Sequence, residues 1–253
     1  MFVFGPMKQN PTQMHTRKFP ASITASIASS IAGLGAALAA TLLFCASPAY
    51  AETELTSPQK TELLAQMEQL RNKYPAIKSE FVEEKNTPLL NHPVVTQGLI
   101  YFQYPNKFRR DITGKNPSTT VCNGKILWIY YPNFNEVEQY ALGEHKVFDD
   151  SISAITAGLS FQQLEQNYQF RAWRDDKSIK LELIPKKPNI RRLVEVLTLW
   201  MTPDFMAYKS QAILPKGGKV ETRYSNSSRA ALPASTFEFT PPQGASVSKP
   251  LGK

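Results

Sequence analysis

Residues 98–132, GLIYFQYPNKFRRDITGKNPSTTVCNGKILWIYYP, limit what this chain can fold into more than any other stretch. Ile100, Tyr101, Phe102, Ile126, Leu127, Trp128, Ile129, Tyr130 and Tyr131 are β-branched, aromatic or apolar and favour extended backbone. Two enforced breaks interrupt them. Asn123-Gly124, centred in Val121-Cys122-Asn123-Gly124-Lys125-Ile126, predicts a hairpin tip in which the pair supplies the two positive φ values of a type I′ turn. Tyr104-Pro105-Asn106 is the second break, because proline fixes φ and donates no ladder hydrogen bond. A segment that folds back twice over so short a distance belongs to an antiparallel meander.

The rest of the chain extends the same pattern. Ser57-Pro58 predicts a helix start, with Ser57 as N-cap and Pro58 at the first helical position. Leu63, Leu64, Met67, Leu70 and Tyr74 give it one apolar stripe, and Tyr74-Pro75 ends it. Strands are expected near 76–85, 94–104, 107–113, 118–122, 126–131 and 135–142, then near 168–174, 178–184, 192–201, 207–214 and 219–225. Short connections favour antiparallel neighbours, since parallel ones need long crossovers. Ile179, Leu181 and Leu183 alternate with Lys180 and Glu182, which gives that strand one dry and one wet face. Gly217-Gly218 marks a further tight hairpin, and Pro241-Pro242 is expected to end regular structure after Phe237 and Phe239.

Residues 149–166 interrupt the strands. Asp150 can cap a short helix carrying Ile152, Ile155 and Leu159, with Gly158 near its end. Ser160 and Gln163 form a potential capping box for a second turn holding Phe161 and Leu164. Two short apolar helices inside a meander need something to cover, and a lid is the expectation. About eleven strands, an N-terminal helix and this insertion imply a mainly β fold with a helical lid, built on a strongly curved sheet. A β-sandwich is the alternative from pattern alone.

The N-terminus reads as an export signal. Lys8, Arg17 and Lys18 are basic, residues 23–44 carry no charge, and Ala49-Tyr50-Ala51 has the small-x-small form that signal peptidase reads. Residues 1–51 are therefore expected to be cleaved, with the start among Met1, Met7 and Met14 open, and 52–253 to form one domain. Removing the three basic residues takes Lys+Arg from 29 to 26 against 21 Asp+Glu, and net charge from +8 to +5. The basic pairs Arg109-Arg110, Lys186-Lys187 and Arg191-Arg192 are scattered and match no nucleic-acid module, so they read as solvated faces and no nucleic-acid partner is expected. Cys45 leaves with the signal, which makes Cys122 a lone thiol and excludes an internal disulfide from the mature chain.

Catalytic patterns are missing from the sequence. His92 and His145 have no ligand-spaced partners, and no H-E-x-x-H or paired-cysteine pattern occurs, so no metal or other cofactor is expected. Gly158-Leu159-Ser160-Phe161-Gln162 lacks the second glycine of a nucleophile elbow, and Lys216-Gly217-Gly218-Lys219 is too short to cradle phosphate. Asp149-Asp150 is explained by helix capping. The composition is that of a binder, with a surplus of large apolar side chains.

Pro105-Asn106-Lys107-Phe108-Arg109, then Asn123 to Pro132, then Ser235-Thr236-Phe237-Glu238-Phe239-Thr240-Pro241-Pro242-Gln243-Gly244 resemble, in order and spacing, the LolA family of periplasmic lipoprotein carriers. The resemblance spans nearly all of the chain after residue 51. It implies an open, unclosed antiparallel β-barrel whose concave face is covered by helices. It implies a monomeric, non-enzymatic carrier that takes acylated lipoproteins from an inner-membrane ABC-type releasing complex and hands them to an outer-membrane acceptor. Carriers of the same fold for a glycolipid or polyketide-derived lipid, or a lipoprotein-sensing regulatory module, are the alternatives. Under the resemblance, Ile100, Phe102, Trp128, Tyr130, Phe170, Leu181 and Leu183 are expected to line an acyl-chain cavity, with Ile152, Ile155, Leu159, Phe161 and Leu164 in the lid. Arg109 matches the arginine that, in the family, holds the lid closed. Strand parity nevertheless sets Arg109 opposite Phe108 and Ile112, and leaves pairing with Asp111 as the alternative.

Overall fold

The computed structural model describes residues 53–88, 91–143, 164 and 166–250. Helix α1 (Ser57–Lys73) opens it. Its N-cap is Thr56, one residue before the position Ser-Pro suggests, so Pro58 is the second helical residue. The reason is local: the Gln59 side-chain oxygen accepts from both the Thr56 backbone N–H (2.8 Å) and the Thr56 hydroxyl (2.9 Å). Both bonds run from Thr56 to Gln59 and tie the N-cap residue to the first turn of the helix. At the other end the Tyr74 N–H still donates to the Leu70 carbonyl, and Pro75 offers no donor to continue.

Among the described residues, twelve strands form one sheet: β1 (Ala76–Asn86), β2 (Val94–Gln103), β3 (Lys107–Thr113), β4 (Ser118–Cys122), β5 (Ile126–Tyr131), β6 (Glu136–Ala141), β7 (Tyr168–Arg174), β8 (Ile179–Pro185), β9 (Val196–Met201), β10 (Ala207–Leu214), β11 (Gly218–Ser228) and β12 (Ser246–Ser248). Their order is β12-β6-β5-β4-β3-β2-β1-β11-β10-β9-β8-β7, so the sheet is unclosed and β12 and β7 are its edges. Two meanders, β1–β6 and β7–β11, are joined by the long antiparallel β1–β11 pair. Among the described residues the fold is mainly β with few helices, and its one open sheet is antiparallel except where β12 meets β6. At the β7 edge Leu55 N–H donates to the Ala172 carbonyl (2.7 Å) and Glu54 bridges Trp173, which partly covers an otherwise unpaired strand.

Several local expectations change. The Asn123-Gly124 hairpin forms, but only Gly124 has a positive φ (91°), so the turn is not type I′. Asn123 instead turns its carboxamide inward and accepts from the backbone N–H groups of Lys125 and Ile126, each at 2.9 Å. Asparagine competes for the backbone in this way whenever its side chain reaches two residues ahead. The strand expected from residue 192 begins at Val196, because Pro188–Arg191 form a short helix, α2, whose proline starts it. Regular structure also continues past Pro241-Pro242: β12 pairs in parallel with β6 and brings the count to twelve. The lid residues Ile152, Ile155, Leu159 and Phe161, like residues 1–51, lie outside the described residues.

Candidate functional site

The pairing register assigns each side chain to a face. One continuous row runs Ile77, Phe102, Phe108, Cys122, Leu127 and Tyr140 across β1 to β6. A second runs Glu83, Thr222, Ser210, Leu199, Leu181 and Ala172 across β1, β11, β10, β9, β8 and β7. Residues at alternate positions share a face, so both rows lie on the same side of the sheet.

That side carries the helices. Leu63 and Met67 of α1 pack with Ala172, Ile179, Leu181 and Met201, and with Phe170 and Leu199 at the margin. Leu164 packs with Tyr168 and Leu183 and against Phe170 and Leu197. Ile190 of α2 and Val194 cover Ala212 and Val220. Toward the centre, Phe81, Ile100, Phe108, Leu127 and Ile129 are buried. Each such side chain removed from water contributes about 1.5–3 kcal/mol. Of the expected cavity set, the structure therefore brings Ile100, Phe102, Phe170, Leu181 and Leu183 onto one face, together with Leu164.

Trp128 and Tyr130 fall on the other. Their rows run Lys78, Tyr101, Arg109, Val121, Trp128, Gln139, and Leu99, Asp111, Thr119, Tyr130, Val137. Here the C-terminal tail crosses the sheet, with Phe239 6.1 Å from Trp128 and 5.9 Å from Tyr130 between ring centroids. Val121 and Val137 complete this second apolar cluster. The cavity set implied by the family resemblance joins these two aromatics to Ile100 and Phe102, but strand period decides the face and hydrophobicity does not.

Arg109 shares the tail side. Its Nε donates to both Asp111 carboxylate oxygens, at 3.1 and 2.8 Å, and its Nη1 donates to the Thr236 carbonyl at 3.4 Å. Thr119 adds its hydroxyl to Asp111 at 3.0 Å. The geometry gives Arg109 a role in holding the tail, with Phe237 buried beside it.

Arg110 is the residue that sequence reasoning missed. Its membership of the Arg109-Arg110 pair suggested a solvated face, yet it is 5% exposed. Its Nη2 donates to Glu83 Oε1 at 2.9 Å, and its guanidinium lies 4.5 Å from the Phe81 ring centroid. Thr222 donates its hydroxyl to the other Glu83 oxygen at 3.2 Å. The Tyr224 and Ser210 hydroxyls hydrogen-bond each other at 3.1 Å, and burial pushes the Tyr224 phenol pKa up. The available signal was parity: Arg110 alternates with Phe108 and Ile112, and Glu83 with Phe81, so both had to share the apolar side.

Among the described residues, no group of His, Cys, Asp and Glu is arranged to hold a metal ion, and no helix is long and apolar enough to cross a membrane. Cys122 is buried, its Sγ donates to the Asn106 carbonyl at 3.5 Å, and desolvation raises its pKa to about 11.

Comparison with known proteins follows this geometry. The chain is 26% identical over 172 residues to the outer-membrane lipoprotein carrier protein of Dechloromonas aromatica (strain RCB), covering 68% of this chain and 80% of that one. It is 27% identical over 154 residues to the same-named protein of Methylibium petroleiphilum, covering 60% and 72%. Among solved structures, an uncharacterised conserved protein from Thermus thermophilus aligns over 76% of this chain and 99% of that one, at 13% identity and a TM-score of 0.46. The profile of the family described as outer membrane lipoprotein carrier protein LolA matches residues 72–240. That match takes in β1 to β11, the Arg110–Glu83 pair and the tail through Phe239, and the chain belongs to the LolA family.

Proposed function

We propose that this protein is a periplasmic carrier that shields the acyl chains of lipoproteins against the helix-bearing face of its sheet. It would receive them from an inner-membrane ABC-type releasing complex and deliver them to an outer-membrane acceptor. The observation that carries this reading is the sharing of one face by Ile100, Phe102, Phe170, Leu181 and Leu183. Hiding acyl chains from water is worth about 0.8 kcal/mol per methylene, so a carrier needs a broad apolar face of this kind. The same affinity must be overcome at delivery. With no nucleotide-binding motif in the chain, direction comes from partners of graded affinity. The reading is of a binder and not an enzyme.

Site-specific photo-crosslinking tests it. A photoreactive side chain at the half-buried Phe102 or Phe170 should capture an acylated lipoprotein in periplasmic extracts, whereas one at Lys180 or Glu182 should not. Equal capture from both faces would mean that the alternation along β8 defines no binding surface.

A further inference from the structure

Antiparallel neighbours turn back at alternate ends, so the β1–β2, β3–β4, β5–β6, β8–β9 and β10–β11 connections all lie at one end of the sheet. The described residues of these connections include six cations, Lys115, Lys186, Lys187, Arg191, Arg192 and Lys216, all exposed, against one acid, Glu195. At the adjoining strand ends Glu84 and Glu136 offset Lys85 and Lys219. The opposite end has the other balance: Asp175, Asp176 and Asp204 stand in its turns against Lys125 and Lys177, with Arg229 held on Asp204 at 3.1 Å.

The basic end also carries the most exposed apolar side chains. Val95 at the start of β2 is 61% exposed, Phe134 in the β5–β6 turn 55% and Leu193 in the β8–β9 turn 47%, the three highest values among the described large apolar residues. The fold around Leu193 holds it out. Ile190 and Val194 turn inward onto Ala212 and Val220. Arg191 Nε donates to the Pro185 carbonyl at 2.7 Å, and the Leu193 N–H donates to the Ile190 carbonyl at 2.9 Å. Phe134 closes a short 3-10 turn that Asn133 ties to the β3–β4 turn, its Nδ2 donating to the Lys115 carbonyl at 3.0 Å.

Single exposed apolar side chains are ordinary, but three of them gathered at the one strongly basic end are not. A compact protein partner would meet a contiguous apolar centre with a polar rim. Here the sheet order puts several strands between Phe134 and Val95, and again between Val95 and Leu193. Isolated apolar tips among exposed lysines and arginines match an extended anionic plane that is apolar just beneath its surface. Lipid phosphates attract the cations, and the short apolar side chains enter the boundary of the acyl layer.

We propose that this end of the sheet is a membrane-contact rim that settles reversibly on an anionic phospholipid bilayer. Lys115, Arg191, Arg192 and the neighbouring lysines lie against lipid phosphates, while Phe134, Leu193 and Val95 reach the acyl boundary. The acidic turns at the opposite end are repelled, so the contact has one orientation. Three separate apolar side chains make a weak anchor, and the protein lets go again. The rim goes beyond the carrier reading and stands on its own residues.

Cosedimentation of the protein from the soluble periplasmic fraction with vesicles tests the rim. Equimolar phosphatidylcholine and phosphatidylglycerol should bind it at least about tenfold more tightly than phosphatidylcholine alone, and about 0.5 M sodium chloride should abolish the difference. Lys115→Gln/Arg192→Gln, which leaves the Arg191 anchor intact, should lower affinity for the anionic vesicles about tenfold. Phe134→Ser/Leu193→Ser should lower it a few fold, and Lys125→Gln/Lys177→Gln at the opposite end should leave it unchanged. All these positions are in turns, so circular dichroism should report the wild-type fold. Equal binding to both vesicles, or wild-type binding by the Lys115/Arg192 variant, overturns the rim. Loss in that variant with full binding by Phe134→Ser/Leu193→Ser also overturns it, and assigns the cations to an acidic macromolecule instead. Each result is independent of lipoprotein capture at Phe102 or Phe170, which tests the carrier reading separately.

Discussion

Arg109 and Arg110 are chain neighbours whose guanidinium groups serve opposite faces of the sheet. Arg109 pairs with Asp111 and the Thr236 carbonyl beneath the C-terminal tail, whereas Arg110 pairs with Glu83 on the helix-bearing side. The distinction changes what each substitution should do.

Arg109→Leu removes a partly exposed ion pair and one long hydrogen bond to the tail. Side-chain exposures of 29% for Arg109 and 23% for Asp111 leave the pair screened by solvent, so the loss should be at most about 1 kcal/mol. Amide exchange in residues 234–240 should accelerate, while loading and release of cargo stay as in the wild type. A variant that loads normally and fails only at hand-over would instead support the latch role that the family resemblance implies.

Breaking the central pair on one side should be far more costly. Glu83→Ala removes the carboxylate that faces a guanidinium only 6% exposed, and such losses run to about 3–5 kcal/mol. Replacing both partners, as in Arg110→Met/Glu83→Leu, should recover most of that stability. Urea unfolding of the two single variants and the double variant measures it, and additive losses would rule out direct coupling.

Phe237→Ala tests whether the tail belongs to the fold. Phe237 is 1% exposed beside the Arg109 contact, and truncating a buried phenylalanine costs about 3–5 kcal/mol. A loss below about 1 kcal/mol would indicate that residues 234–248 dock without contributing to the sheet's stability.

Cys122 makes a prediction about alkaline pH. Burial raises its thiol from 9.0 to about 11, so the folded chain holds this proton more tightly than the unfolded one. Its contribution to stability is complete below about pH 9 and is lost as pH rises toward 11. A Cys122→Ala protein should therefore show a shallower fall in stability across that interval, measured by urea unfolding at each pH. In the native wild type, thiol reagents at pH 8 should react slowly, since the thiolate is the nucleophile.

Much of this architecture is legible in sequence because strands advertise themselves locally. Alternation along Ile179, Lys180, Leu181, Glu182 and Leu183 states the wet and dry sides of β8, and Pro105 and Gly124 mark where the chain must turn. Ordered motifs after Pro105 carried the family.

Tertiary structure decided which side of one strand matches which side of the next. Parity along β3 separates Arg109 from Arg110, but only the register through β2, β1 and β11 sets Arg110 against Glu83 and Thr222. The same register moved Trp128 and Tyr130 to the tail side, where residues more than a hundred positions later pack on them. β12 was invisible for a related reason: Ser246–Ser248 has little propensity of its own and is a strand because β6 offers it an edge. A strand's period is written in its own residues, but its neighbours, and hence the chemistry gathered on a face, come from long-range pairing that short patterns do not encode.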